Sequence, residues 1–217
     1  MDRMEQARRN MVDSQIRTND VTRPDIVSAF LTVPREAFVA KSKEALAYSE
    51  LEIPTSDDRA LWIPRDFAKL VAAVDPRPGD EVLIIGCGAG YECAVMSQIA
   101  AMVIGLDDDE ARVAATTERL TTLGYDHVAC VSGDLKAGVA SEAPFDIILI
   151  NGMVEAVPQA LLDQLGDGGR LGVVVGTGRL GKGHVYSRAG EVVSRRPVFE
   201  ATPPKFSAFD APKAFTF

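Results

Sequence analysis

Histidine and cysteine are scarce in this sequence of 217 residues, which contains two histidines and three cysteines. His127 and His184 lie far apart in the chain, so neither a dedicated zinc site nor a catalytic histidine is indicated. The cysteines are odd in number and lack C-x-x-C spacing: Cys87, Cys93 and Cys130. We therefore expect no metal site, and we expect reduced thiols with a structural role.

An excess of positive charge and long apolar runs are also missing. The formal net charge is -8 and the isoelectric point is about 4.9, which argues against a nucleic-acid partner because such partners select a basic surface. No apolar run approaches the length of a membrane span, and charges occupy residues 1–5, where a signal peptide needs an apolar segment. We expect a cytoplasmic protein without a membrane partner; the choice between monomer and dimer stays open.

The first third of the chain combines helical patterns with a long loop. Helices are predicted over about 2–16, 24–34 and 65–75, and a polar, proline-containing loop over 45–63. Hydrophobic residues make up 47% of the chain, which is enough for one α/β domain with a substantial core. We expect a single domain over 1–217, with a helical and loop region at 1–64, an α/β core at 65–180, and C-terminal strands and a tail at 181–217.

Strand and helix patterns alternate regularly after residue 80. Strands are predicted at 81–85, 102–106, 127–131, 145–150 and 170–175, with helices at about 91–100, 109–123 and 157–165. This order implies a parallel sheet covered on both faces. Two further strands, at 184–188 and 192–199, are predicted to be antiparallel. The predicted fold class is therefore α/β, with a doubly wound, mostly parallel seven-stranded sheet, an N-terminal helical extension and an antiparallel C-terminal strand pair.

Closely spaced glycines follow the first strand of this alternation. The segment from Val82 to Tyr91 is a buried strand that leads into Gly86, Gly88 and Gly90 and then into a helix. Glycine lets a backbone turn sharply and approach a ligand, although a purely structural turn would look the same. A dinucleotide fingerprint requires glycine at the position of Tyr91, so the spacing matches instead the G-x-G-x-G of S-adenosylmethionine-binding proteins.

Acidic residues follow the next two strands. Asp107 ends the second strand, where a carboxylate can accept hydrogen bonds from ribose hydroxyls, and Asp134 follows the third, where it or its neighbour can contact an adenine edge. The alternatives are an acid at a helix start and a solvated turn. Because the carboxyl ends of parallel strands share one edge, we predict a cofactor site there, formed by Gly86, Cys87, Gly88, Gly90, Tyr91, Asp107, Asp108, Asp134 and Leu135.

The order of motifs resembles the protein-L-isoaspartate O-methyltransferase family. Segments similar to family elements are Val33-Pro34-Arg35-Glu36-Ala37-Phe38, Ala47-Tyr48-Ser49-Glu50, Gly88-Ala89-Gly90-Tyr91, Gly133-Asp134, Phe145-Asp146, the run from Val157 to Leu165, and Gly168-Gly169-Arg170-Leu171. The resemblance covers about 11–199. It implies a methyltransferase fold, S-adenosyl-L-methionine as cofactor, and a protein or peptide carboxylate as methyl acceptor in protein repair.

The chain departs from the family pattern in three ways. Ile84 stands two places before the first glycine, where the family has an acid, and this change predicts weaker cofactor binding. Ala60 and Trp62 occupy the positions of the two hydroxyl residues in the family's Gly-Gln-Thr-x-Ser-x-Pro loop, so no catalytic residue is identified there. Asp57 and Asp58 add negative charge where a carboxylate substrate would bind.

The resemblance and its departures leave three functions open. The first is a carboxyl methyltransferase that acts on isoaspartyl residues, for which the changed loop predicts a reduced rate. The second is a diverged member that binds the cofactor and methylates another acceptor, and the third is a non-catalytic binding protein. We expect Trp62 and Ala60 to line the acceptor pocket; the alternative is that Trp62 belongs to the core between the N-terminal helices and the sheet.

Overall fold

The computed structural model describes residues 2–210, so Met1 and residues 211–217 of the predicted tail lie outside the described part. The helices are α1 (Arg3–Met11), α2 (Pro24–Thr32), α3 (Pro64–Val74), α4 (Tyr91–Ser97), α5 (Glu110–Thr122) and α6 (Gln159–Asp163). The strands are β1 (Ile53–Pro54), β2 (Ala60–Leu61), β3 (Glu81–Ile85), β4 (Met102–Asp107), β5 (Val128–Ser132), β6 (Phe145–Val154), β7 (Leu165–Val175), β8 (Gly181–Ala189) and β9 (Val192–Ala201).

A seven-stranded sheet in the order β5-β4-β3-β6-β7-β8-β9 forms the centre of the fold. The pairs from β5 to β7 are parallel, whereas β7, β8 and β9 pair in antiparallel fashion. From β3 the chain winds first towards β5 and then returns to β6, so the winding direction changes between β3 and β6. Ligands bind at such a switch point, outside the carboxyl ends of the strands. The predicted fold class is confirmed.

The N-terminal helices cover one face of the sheet. Pro24 and Pro64 stand in the first turns of α2 and α3, where the missing N–H costs nothing. The first predicted helix is shorter than expected, because α1 passes at Val12 into a π-helical segment that ends at Ile16. Both of these side chains are fully buried, so the segment still contributes its apolar face to the core.

Several other predicted elements differ in extent from the structure: β6 continues to Val154, and β7 begins at Leu165 instead of residue 170. The expected loop over 45–63 contains a small hairpin in which β1 pairs with β2, closed by hydrogen bonds from the Thr55 and Ser56 amides to the Arg59 carbonyl. A two-residue strand is too short to produce a sequence pattern. The predicted helix at 157–165 contains only the five residues of α6, since the carbonyl of Gln164 accepts from the Phe145 amide and the chain joins the sheet there.

Apolar side chains fill both faces of the sheet. The cluster beneath the N-terminal helices includes Trp62, Phe67 and Ile84, whereas the opposite cluster includes Leu83, Phe145 and Phe206. Alternate residues of β3 enter opposite clusters, as the two-residue period of a strand requires. Among residues 2–210, no helix combines the length and apolar character needed to span a membrane.

Candidate functional site

The glycine loop after β3 is held against the end of β4. The amides of Gly86 and Cys87 both donate to the carbonyl of Leu106, at 2.8 and 3.0 Å. Gly86, Gly88 and Gly90 have φ values of +77°, +53° and +91°. This left-handed region disfavours side chains, so glycine is what lets the loop turn from the strand into α4.

Asp107 lies at the centre of the site. Its side chain has no solvent exposure, and its Oδ2 accepts from the Gly88 amide at 2.8 Å. Its Oδ1 accepts from the guanidinium groups of Arg59 and Arg112 and from the Asp108 amide. Burial raises the pKa of this carboxyl, but the Gly88 amide and the Arg59 charge outweigh burial and place the pKa below its ordinary value. Asp107 is therefore ionised at neutral pH and links the glycine loop to two arginines.

Arg59 comes from the turn of the β1–β2 hairpin and reaches this carboxylate from 48 positions away in the chain. Its guanidinium also contacts Asp58 at 2.6 Å and Asp108 at 2.7 Å, and its side chain is 5% exposed. Arg112 on α5 bridges Asp58 at 2.9 Å and Asp107. The negative charge of Asp58 is thus matched by two arginines.

Phe206 stacks on the Arg59 guanidinium, which stands 4.4 Å from the centre of its ring. A Cβ atom at Gly86 would be 2.4 Å from the ring, so the ring lies directly on the glycine loop. The backbone is fixed too, because the Met153 amide donates to the Pro204 carbonyl and the Phe206 amide donates to the Met153 carbonyl, both at 2.8 Å. Phe206 and Arg59 were both missed from sequence; the Pro- and Phe-rich tail is the only signal for the former.

The other predicted cofactor residues take varied positions. Gly90 precedes α4 as its N-cap, and Asp108 pairs with Arg59 beside Asp107. Tyr91 is fully buried against Phe38, with ring centres 5.6 Å apart, so its side chain faces the core. Cys87 is likewise buried, and all three cysteines are free thiols. The structure therefore gathers Gly86, Gly88, Asp107 and Asp108 but directs the Cys87 and Tyr91 side chains inward.

The third strand end stands somewhat apart. Asp134 is exposed, and its carboxylate accepts from the Lys136 amide at 2.8 Å, which is the geometry of a solvated turn. Leu135 is buried, with 2% exposure. The preceding Gly133 amide donates to the Asp107 carbonyl at 2.9 Å, which joins this turn to the end of β4.

Two of the residues that depart from the family pattern, Trp62 and Ile84, are fully buried. Trp62 has no exposed surface and packs edge-to-face on Phe67, at 6.4 Å between ring centres, which is the core position that the alternative interpretation of the sequence describes. Ala60 is half-buried in β2. Ile84 is fully buried in β3, so an acid placed there would be an unpaired charge in the core.

A second buried polar group adjoins the glycine loop and was not recognised from sequence. Glu92, at the start of α4, is 1% exposed, and neither of its oxygens has a hydrogen-bond donor with good geometry among the described residues. Burial raises its pKa to about 7, although its own backbone, Arg35 and Asn151 act in the opposite direction. Asn151, at the switch point on β6, donates to the Gly86 carbonyl at 2.9 Å.

The glycine loop and Asp107 suit a nucleoside cofactor, whereas the side chains of Phe206 and Arg59 occupy the space that it would need. The glycine loop and the Asp107 carboxylate stand at the carboxyl ends of adjacent parallel strands, as a ribose-binding site requires. The Phe206 ring covers Gly86, and Arg59 covers Gly88 and occupies Asp107. The described residues hold no cluster of three or more metal-ligating side chains.

Comparison with known proteins agrees with this frame. The family model for protein-L-isoaspartate (D-aspartate) O-methyltransferase matches residues 6–198. The enzyme of that name from Koribacter versatilis is 33% identical over 80% of this chain and 78% of its own length, and that of Roseiflexus castenholzii is 37% identical over 78% and 77%.

Solved structures show the same fold. One protein-L-isoaspartate O-methyltransferase aligns with a TM-score of 0.81 and 25% identity over 91% of this chain; the chain spans 65% of that structure's length. A Plasmodium falciparum structure assigned to the same enzyme, in complex with S-adenosyl-L-homocysteine, aligns with a TM-score of 0.76 and 16% identity over 95% of this chain and 99% of its own. This chain therefore belongs to the protein-L-isoaspartate O-methyltransferase family of S-adenosylmethionine-dependent methyltransferases, as its motifs predict.

Proposed function

We propose that this protein transfers a methyl group from S-adenosylmethionine to a carboxylate of a protein or peptide, with isoaspartyl residues as the first substrate to test. The observation that carries the proposal is the buried Asp107 carboxylate bonded to the Gly88 amide at the edge where β3 and β4 end. In this assignment Gly86, Gly88 and Gly90 allow close approach of the cofactor and Asp107 receives the ribose hydroxyls. The turn at Asp134 and Leu135 faces the adenine.

Methyl transfer to a carboxylate requires little acid–base catalysis from the protein. The cofactor supplies an activated methyl group on its sulfonium, and a carboxylate acceptor is already ionised at neutral pH because its ordinary pKa is about 4. The chain's residues contribute binding, alignment and exclusion of water. A site without a catalytic histidine fits this chemistry.

The acceptor side supports a reduced rate on isoaspartyl substrates. Ala60 and Trp62 stand where the family pattern has hydroxyl residues, and Trp62 is buried in the core. Loss of one hydrogen bond to a charged acceptor costs on the order of 1.5–3 kcal/mol of alignment. This cost corresponds to about one to two orders of magnitude in rate.

The same region favours a second candidate, in which the protein methylates a different acceptor. The hairpin turn carries Asp57 and Asp58, and the Arg59 that follows them is engaged by Asp58, Asp107 and Asp108. Four carboxylates, those of Asp57, Asp58, Asp107 and Asp108, outnumber the two arginines Arg59 and Arg112 here, and such an excess of negative charge suits a neutral or cationic acceptor better than a carboxylate. The third candidate, a non-catalytic binding protein, predicts cofactor binding without methyl transfer.

The decisive experiment incubates the purified protein with methyl-labelled S-adenosylmethionine and an isoaspartyl peptide, beside the aspartyl twin of the same peptide. We expect slow labelling of the isoaspartyl peptide alone. Asp107→Asn, which keeps the side-chain shape but removes its charge, should abolish labelling, whereas Asp109→Asn at the exposed cap of α5 should not. Labelling of neither peptide, with saturable cofactor binding retained, would reject the carboxyl assignment and favour another acceptor or a binding role.

A further inference from the structure

Two side chains from distant parts of the chain meet over the glycine loop. Arg59 projects from the β1–β2 hairpin, and Phe206 belongs to the segment that follows β9. The guanidinium stacks 4.4 Å from the centre of the phenyl ring, and the exposed fractions are 6% for Arg59 and 3% for Phe206. A stacked cation and ring that exclude water from both partners form a favourable contact.

The ring occupies the space in front of the first glycine. A Cβ atom at Gly86 would fall 2.4 Å from the Phe206 ring, and one at Gly152 would fall 2.9 Å from the Phe206 side chain. The two backbone hydrogen bonds to Met153 hold the ring there, and Phe209 packs against it at 5.0 Å between ring centres. No ligand atom can approach Gly86 from this side while the ring remains in place.

The guanidinium occupies the acceptor atom that a ribose would use. Oδ1 of Asp107 already accepts from Arg59 at 3.0 Å, from Arg112 and from the Asp108 amide, while Oδ2 accepts from Gly88. A ribose diol donates two hydrogen bonds, and this carboxylate has no exposed surface to receive them. Arg59 must therefore leave Asp107 before the diol can bind.

We propose that Arg59 and Phe206 form a latch that closes the nucleoside site from within, so that cofactor binding requires the segment 204–206 to detach from Met153 and Arg59 to leave Asp107. This inference rests on the proposed function, because it names the same glycine loop and Asp107 as the cofactor site. Asp58 and Asp108 remain as partners for the released guanidinium, since both have side chains that are 43% exposed.

A latch of this kind lowers the apparent affinity for the cofactor. The apparent dissociation constant equals the intrinsic constant divided by the fraction of molecules that are open. Loosening either half of the latch raises that fraction and tightens binding. If Arg59 and Phe206 instead contact the bound cofactor, their removal weakens binding, so the two arrangements predict opposite signs.

The test measures binding of S-adenosyl-L-homocysteine by calorimetry to the unmodified 217-residue chain and to two variants. Phe206→Ala removes the ring, and Arg59→Gln removes the charge while placing the family residue at that position. Each should tighten binding at least tenfold. The matched controls are Phe199→Ala, at a half-buried phenylalanine beside Lys69, and Arg65→Gln, at an arginine paired with Glu50 and Asp66; both should bind as the unmodified protein does.

Hydrogen exchange provides a readout that is independent of affinity. The Phe206 amide is protected by the Met153 carbonyl in the closed form, so S-adenosyl-L-homocysteine should speed its exchange at least tenfold while amides of β4 stay unchanged. Slower exchange at Phe206 on binding would overturn the latch, because the segment would then close over the ligand. Equal affinity in all five proteins would overturn the latch and leave the proposed function standing. Binding by none of them would overturn both.

Discussion

The glycine-loop edge and the β1–β2 hairpin stand side by side but depart from the family pattern to different degrees. At the edge, Gly88 and Gly90 match the family pattern, and Asp107 is joined to the glycine loop through the Gly88 amide. In the hairpin, both hydroxyl positions are lost and an arginine takes the place of glutamine. Arg59 joins the two regions, because it begins in the hairpin and ends on Asp107. A change in the hairpin therefore also affects the glycine-loop edge, because Arg59 contacts Asp107.

The largest effect is expected from Trp62→Ala, which tests whether the hairpin residue belongs to the core. Trp62 is fully buried and packs on Phe67, so its truncation leaves a large cavity. We expect the free energy of unfolding to fall by about 3–5 kcal/mol in urea titrations. A loss of less than about 1 kcal/mol together with faster methyl transfer would contradict the core assignment. Trp62 would then be assigned to the acceptor pocket.

The next effect concerns Glu92 on the edge side, whose pKa of about 7 lies above the ordinary 4.5. The folded state holds the Glu92 proton more tightly than the unfolded chain does. The contribution of this carboxyl to the free energy of unfolding is therefore fully present below pH 4.5, and it is lost as the pH rises from 4.5 to about 7. The shift corresponds to about 3 kcal/mol. Glu92→Gln should remove that decline, measured as the difference in unfolding free energy between pH 4.5 and 8. Parallel stability–pH curves for the two proteins would show that Glu92 is ionised inside the fold.

The pKa of Asp107 is shifted in the opposite direction to that of Glu92. Its pKa is lowered, so its stabilising contribution is present above the ordinary value of 3.8 and is lost only as pH falls below it. The two acids therefore act in separate pH ranges and in opposite directions. This separation lets one pH series distinguish a paired carboxylate from an unpaired one.

The smallest effect is expected from Ala60→Thr, which restores one hydroxyl to the hairpin. Ala60 is half-buried in β2, so a threonine fits a strand position without opening the core. Methyl transfer to an isoaspartyl peptide should rise about tenfold, which corresponds to about 1.4 kcal/mol. The aspartyl twin serves as the control substrate. An unchanged rate would mean that Ala60 does not face the acceptor and that the hairpin departure acts through Arg59 alone.

Sequence patterns predict the strands of the sheet because each strand has a local apolar pattern of its own. The boundaries of β3 are predicted residue for residue, and β4 and β5 are displaced by no more than one residue, since buried strands are short apolar runs bounded by turns. The hairpin escapes prediction because two-residue strands carry no periodicity. The helix α6 is overestimated because backbone pairing at Gln164, which depends on a distant strand, ends it.

The backbone positions of the candidate site are predicted from the sequence, whereas the side-chain contacts across it are not. Gly86, Gly88 and Asp107 follow from spacing and strand order, which are local properties. The contact between Arg59 and Asp107 joins residues 48 positions apart, and that between Phe206 and Gly86 joins the tail to the loop. A single sequence does not indicate either contact, because a charged or aromatic side chain in a loop can pair with many different residues.

The most direct test of the account is a crystal structure of this protein with S-adenosyl-L-homocysteine bound. The account predicts that the ribose hydroxyls donate to the Asp107 carboxylate, that the Phe206 ring has left Gly86, and that the Arg59 guanidinium no longer contacts Asp107. A bound ligand at this edge with the Arg59–Asp107 pair and the Phe206–Gly86 contact both intact would contradict the latch. A ligand bound elsewhere would contradict the assignment of the site.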